Sequence, residues 1–203
     1  MKLYGAPMPA PNPRRVRIFL AEKGVDLPET PVDLIRREHK SPEHFARNSL
    51  GQVPTLQLDD GATISETVAI CRYFEEIHPD PPLFGKSALE KANVDMWVRR
   101  IEFQLMTPVG NFWRHAHPRT AALLTQYKDF GESNRAAYSS AQKWLDRELA
   151  EKTFIAGDAY SMADICALST VDFAEWIGLP LEEDKSNLKA WHDRVNARPS
   201  AAA

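Results

Sequence analysis

Cysteine is scarce: Cys71 and Cys166 are the only two in 203 residues, and neither has a second cysteine nearby. That spacing excludes a Cys-x-x-Cys redox motif and a thiolate metal cluster, and leaves both thiols as small buried hydrophobes in apolar helical patterns. His115 and His117 stand two apart without partners at ligand spacing, so no metal is expected. No apolar run approaches the roughly 18 residues of a membrane span. The opening Met1-Lys2-Leu3-Tyr4-Gly5 lacks a secretory pattern, so the expectation is a cytoplasmic protein with no membrane partner. Nor is there an excess of positive charge. A formal net charge of -3 argues against a nucleic-acid partner held through phosphates.

What is present changes character near residue 80. Before it, short apolar runs alternate with helical patterns, as in an α/β unit. Lys2-Leu3-Tyr4 forms a first strand. Asn12-Pro13 offers an N-cap and a first-turn proline for a helix to Lys23, with Val16, Phe19 and Leu20 inward and Gly24 as the stop. Thr30 to Ile35 reads as a strand and Pro42 to Asn48 as a short helix. Two strands, Thr55 to Leu58 and Ala62 to Ile64, flank Asp59-Asp60-Gly61 as a hairpin. Glu66 to Ile77 is a helix burying Val68, Ile70, Cys71 and Phe74. The order is β-α-β-α-β-β-α.

Residues 79–87 form a linker, because three prolines in four positions (Pro79, Pro81, Pro82) cannot continue a helix. From 88 to 203 strand signals nearly vanish. Helical spacing predicts Ala88 to Phe112, kinked or ended by Pro108, then Gly131 to Glu151, Ala163 to Trp176 and Leu188 to Ala197. The third is apolar all round, which suits the central helix of an all-α domain.

Three short features carry chemistry. Val53-Pro54 stands before a strand; a cis bond there turns the Val53 N–H and C=O outward to pair with an extended peptide, while a plain loop proline is the alternative. Glu66-Thr67 opens a helix whose first N–H groups lack internal partners, so a carboxylate can bind there while Glu66 takes an ammonium. His39 and Lys40 can clamp a second carboxylate or form a solvated basic turn. In the helical half, Ser161-Met162-Ala163-Asp164 has capping-box spacing, which makes Asp164 a cap with a loss of roughly 0.5 to 2 kcal/mol on removal.

In this order and spacing the residues resemble the glutathione S-transferases. The segment from His39 to Pro54 looks like the phi class, and Ala21-Glu22-Lys23-Gly24 looks like bacterial relatives of the theta and beta groups. The resemblance implies a thioredoxin-like α/β first domain over 1–78 and an all-α helical domain over 88–203. It implies that His39 and Lys40 face the glycine carboxylate of glutathione, that Val53 pairs with its cysteinyl backbone assisted by Gln52 and Pro54, and that Glu66 and Thr67 hold the γ-glutamyl head. A homodimer follows from the same resemblance.

The sulfur has no obvious partner. Members of the family usually supply Tyr, Ser or Cys soon after the first strand, and Ala6 to Pro13 contains none of them. Tyr4 lies in the strand itself. Asn12 is the one side-chain donor at the mouth of the first helix, and its amide can either meet a thiolate or cap the helix. A hydrophobic electrophile is expected against Met8 and Pro9 and a wall of Met106, Val109, Phe112, Trp113 and His115. The leading function is conjugation of glutathione to that electrophile. The alternatives are glutathione-dependent isomerisation, dehalogenation or peroxide reduction, or a non-catalytic glutathione-binding module.

Overall fold

Leu3 anchors the sheet. Strand β1 (Lys2–Gly5) pairs in parallel with β2 (Glu29–Pro31), setting Leu3 against Glu29. On its other side it pairs antiparallel with β3 (Thr55–Gln57), setting Leu3 against Leu56, and β3 continues antiparallel into β4 (Thr63–Ser65). The order is β2-β1-β3-β4. Helices α1 (Pro11–Lys23) and α3 (Thr67–Ile77) pack on one another, and α2 (Pro42–Arg47) is the short helix before β3. The apolar residues expected inward on α3, Val68, Ile70, Cys71 and Phe74, are all buried. In this computed structural model all 203 residues are described, and they form two units: residues 1–83 with 199–203, and residues 84–198. The last five residues, expected with the helical half, pack instead with the first unit because Arg14 and Glu22 of α1 bind them.

Two local expectations change. The strand expected to run to Ile35 ends at Pro31, because the Asp33 carboxylate accepts the Ile35 and Arg36 N–H groups at 2.8 and 2.9 Å and bends the chain into a turn. Helix α1 starts at Pro11, so Ala10 is its N-cap and Asn12 lies inside the first turn. Proline suits that first position, and the helix therefore begins earlier than Asn12. Its end is as expected, with Gly24 at φ 64°.

The second unit is helical. The single helix expected from Ala88 to Phe112 is three pieces: α4 (Ala88–Arg100), a π-turn over Ile101–Met106, and α5 (Thr107–His115). Pro108 has no N–H for a preceding carbonyl and its ring crowds that turn, while Thr107 reaches back five residues, its hydroxyl donating to the Glu102 carbonyl at 3.0 Å. The chain continues as α6 (Lys128–Glu148), α7 (Met162–Trp176) and α8 (Ser186–Asn196). All but three residues of α7 are buried, as its all-round apolar pattern predicts. No helix is long and apolar enough to cross a membrane.

Candidate functional site

The segment between α2 and β3 in the first unit is held from beneath by one buried polar cluster. The Gln52 carbonyl accepts from His44 Nε2 at 2.8 Å, Asn48 Nδ2 at 3.0 Å and Thr55 Oγ1 at 3.2 Å. This requires a proton on His44 Nε2. The Lys40 ammonium donates to the two preceding carbonyls, Leu50 at 3.1 Å and Gly51 at 2.8 Å. Gly51 has φ 56°, and a Cβ there would meet the His39 carbonyl at 2.8 Å, so only glycine fits. Three consecutive carbonyls are thus engaged by side-chain donors. Val53 follows them with its N–H and C=O in no hydrogen bond, and the Val53-Pro54 peptide is cis.

The start of α3 is open as well. Glu66 precedes it with φ 70°, a conformation few side-chain-bearing residues adopt, and its exposed carboxylate does not cap the helix. The Glu66 carbonyl accepts the Ile70 N–H at 3.0 Å, which leaves the N–H groups of Thr67, Val68 and Ala69 pointing out of the first turn without partners. Three parallel donors at the positive end of a helix dipole suit a carboxylate. Strain at Glu66 beside them is the kind of cost that persists at functional sites.

His39 and Lys40 differ in role. Burial first, and then the charges of Lys40, His44 and Arg37, hold the His39 imidazole below the usual histidine range. At neutral pH it is a neutral hydrogen-bonding group, and of the two it is Lys40 that carries positive charge. An ammonium has three donors, and with two engaged by Leu50 and Gly51 one is left for a ligand.

The start of α1 is much poorer in donors. Pro11 and Pro13 have no N–H, the Ala10 N–H is bound to the Pro7 carbonyl at 3.2 Å, and the Arg14 N–H reaches the Ala10 carbonyl at 3.5 Å. Only the Asn12 main-chain N–H remains. The Asn12 side chain lies in the same turn with its Oδ1 buried and unpartnered, and it makes no cap. Its NH2 group is a side-chain donor in that turn, so one residue supplies both donors this helix end can offer. Tyr4 is engaged elsewhere: its hydroxyl donates to Gln57 Oε1 at 3.1 Å, and Arg47 covers its ring at 4.3 Å.

Comparison with known proteins identifies the family. The N-terminal domain of glutathione S-transferases matches residues 10–77, and their C-terminal domain matches residues 121–199. The chain belongs to the glutathione S-transferase family. Glutathione S-transferase 2 of Saccharomyces cerevisiae is 38% identical over 204 residues, covering 98% of this chain and 87% of that protein. The crystal structure of Gtt2 from Saccharomyces cerevisiae has a TM-score of 0.93 at 36% identity, covering 100% of this chain and 99% of that one. A structure of glutathione S-transferase-I bound with lactoylglutathione has a TM-score of 0.84 at 28% identity, with 99% and 96% coverage.

In this member of the glutathione S-transferase family, the residues expected to form the electrophile wall separate into two groups. Val109 and Phe112 are 1% and 3% exposed and belong to the core of the helical unit. They continue the inward stripe of Ile101 and Leu105 at helical spacing, so they cannot line an open wall. Trp113, one residue further round, leaves the core half-covered, with rings of His117 at 4.8 Å, Phe173 at 5.4 Å and Trp176 at 5.7 Å. His115 is flanked by Tyr127 at 5.6 Å and Phe130 at 5.4 Å. Met106 is half-buried at the end of the π-turn, and in the first unit Met8 is 54% exposed with Pro9 beside it.

The sequence reading missed His44, Asn48 and Thr55. Their signal was weak: polar residues in a short helix and at a strand start look solvent-facing until the fold buries them. All three are nearly inaccessible, and their common target is a carbonyl, which no side-chain pattern reveals.

Proposed function

We propose that the protein binds glutathione along the edge of its first unit, favours the thiolate, and transfers it to a hydrophobic electrophile. The observation that carries this is the row of unanswered main-chain groups, Val53 N–H and C=O beside the three free N–H groups at the start of α3. The Val53 amide pairs with the cysteinyl residue as an added strand would. The α3 donors hold the γ-glutamyl carboxylate, with Glu66 on its ammonium and the Thr67 hydroxyl beside them. Lys40, with neutral His39 next to it, holds the glycine carboxylate; Gln52 and Pro54 flank the peptide. A relative bound with lactoylglutathione supports this choice of ligand.

Asn12 meets the sulfur. A free thiol titrates near about 8.5, so a donor pair from Asn12 raises the thiolate fraction near neutral pH. The thiolate then forms a carbon–sulfur bond with the electrophile, the thiol proton goes to solvent, and any leaving group departs with the electron pair. In the first unit, Met8 and Pro9 contact the electrophile. The protein works in the cytoplasm as a homodimer, without a metal.

Retention on glutathione resin, with turnover of a panel of electrophiles, tests the reading. Glu66→Ala is expected to abolish retention. Retention of the unaltered protein without turnover of any electrophile points to a binding module, which the lack of a Tyr, Ser or Cys hydroxyl or thiol at α1 would favour. Failure to bind glutathione at all overturns the proposal.

A further inference from the structure

The first turn of α1 has little of its own to hold it. Two of its first three residues are prolines, its N-cap is an alanine without a side-chain bond, and its first ladder bond is stretched to 3.5 Å. Such a turn frays unless something outside the helix fixes it.

Something does. The 3-10 turn Pro199–Ala202 packs along α1, with Ser200 and Ala201 buried at 7% and 5% exposure. The buried Arg14 guanidinium donates to the Ala201 carbonyl at 2.8 Å, and the Ser200 hydroxyl donates to the Glu22 carboxylate. Arg14 and Glu22 are eight residues apart, about 80° round the helix and about 12 Å along it. One short turn of chain therefore grips α1 at both ends, and its grip at the first end falls two residues from Asn12. A guanidinium bonded to a carbonyl in a buried setting is a charge-assisted bond and a rigid one.

We infer that Arg14, braced on the Ala201 carbonyl, is a positioning residue for the thiol end of the glutathione site, and that residues 199–202 belong to the machinery of that end. The brace fixes the proline-broken turn so that the Asn12 N–H and amide stay aimed at the sulfur. This rests on the assignment of Asn12 to the sulfur.

The test is the pKa of the thiol of bound glutathione, followed by thiolate absorbance, with kcat and KM measured across pH. Arg14→Met removes brace and charge together. Ala201→Trp overfills the pocket and displaces the turn while keeping the guanidinium, and Ser200→Ala loosens the turn mildly. Arg14→Met and Ala201→Trp are each expected to raise the bound thiol pKa by about one unit and lower turnover at about pH 6 roughly tenfold, with KM for glutathione changed less than about twofold. Ser200→Ala shifts the same way by less, and Arg14→Lys recovers part of the loss. If Ala201→Trp or Ser200→Ala lowers only the melting temperature and leaves the thiol titration in place, the turn is structural and the inference is wrong. If Arg14→Met shifts the titration but neither turn variant does, the charge acts directly and the brace is again refuted. Failure of the unaltered protein to bind glutathione counts against the functional reading and is seen before any variant is made.

Discussion

The start of α7 and the ligand-facing edge of the first unit solve the same problem in opposite ways. At α7 the buried carboxylate is answered from within. The Asp164 carboxylate accepts from the Ile155 N–H at 2.9 Å, the Ser161 N–H at 3.0 Å, the Ser161 hydroxyl at 3.1 Å and the Trp191 indole at 2.8 Å, and it is wholly buried. Along the first unit the groups at Val53, at the start of α3 and at Asn12 are left unanswered, although the carbonyls just before Val53 are tied down. A closed constellation stabilises the fold, whereas an open one on a rigid support waits for a ligand. The difference between them predicts which variants change stability and which change binding.

The largest effect belongs to the closed constellation. Asp164→Ala strands three donors besides the hydroxyl and should cost about 3 kcal/mol, more than a simple cap, read as a lower urea midpoint with the KM for glutathione unchanged. Burial pushes the Asp164 carboxyl up to about 6, against the pull of its hydrogen bonds. A carboxyl with a raised folded-state pKa stabilises the fold most when protonated. Its contribution is therefore full below about pH 4 and fades as pH rises through about 6. The stability of the unaltered protein relative to Asp164→Asn should fall over that window and level off above it; a flat difference would break the assignment.

Next comes the open group at the sulfur. Asn12→Ala is expected to raise the bound thiol pKa by about one unit, close to 1.4 kcal/mol, with little change in the unfolding midpoint. An unchanged titration and turnover would remove Asn12 from the mechanism. Smaller again is His44→Ala, which withdraws one of three donors from the Gln52 carbonyl. A loss of about 1 kcal/mol in the support of Val53 should raise KM for glutathione roughly fivefold while leaving the thiol pKa alone. If kcat falls instead, His44 is doing more than positioning.

The smallest effect is at His39. Because its pKa is held below the usual value, it is neutral at pH 7, and His39→Gln should change KM by less than about twofold there. On acidification the imidazole gains charge in the unaltered protein alone, so its KM relative to the variant should drop. A large change at neutral pH would mean that His39 carries the charge assigned to Lys40.

Much of this molecule was legible before it was folded. The β-α-β-α-β-β-α order, the hairpin at Asp59-Asp60-Gly61, the inward face of α3 and the burial of α7 are all local periodicities or turn chemistry, which short stretches of chain set for themselves. Boundaries slipped where a single side chain outbid the pattern, as Asp33 did at the end of β2 and Pro108 did between α4 and α5. The assignment of Val109 and Phe112 to an open wall failed because an aromatic or β-branched residue at helical spacing looks the same whether it faces core or cavity.

By itself, then, the sequence determined the elements, the family resemblance and the polar types available to a peptide thiol, because propensity, capping and motif spacing operate over a few residues. The tertiary structure alone decided that His44, Asn48 and Thr55 converge on one carbonyl, that Lys40 and not His39 carries charge, and that residues 199–202 return to grip α1. Those contacts join positions far apart in the chain or depend on how much water is excluded. Burial and direction belong to the folded chain, and no local pattern encodes them.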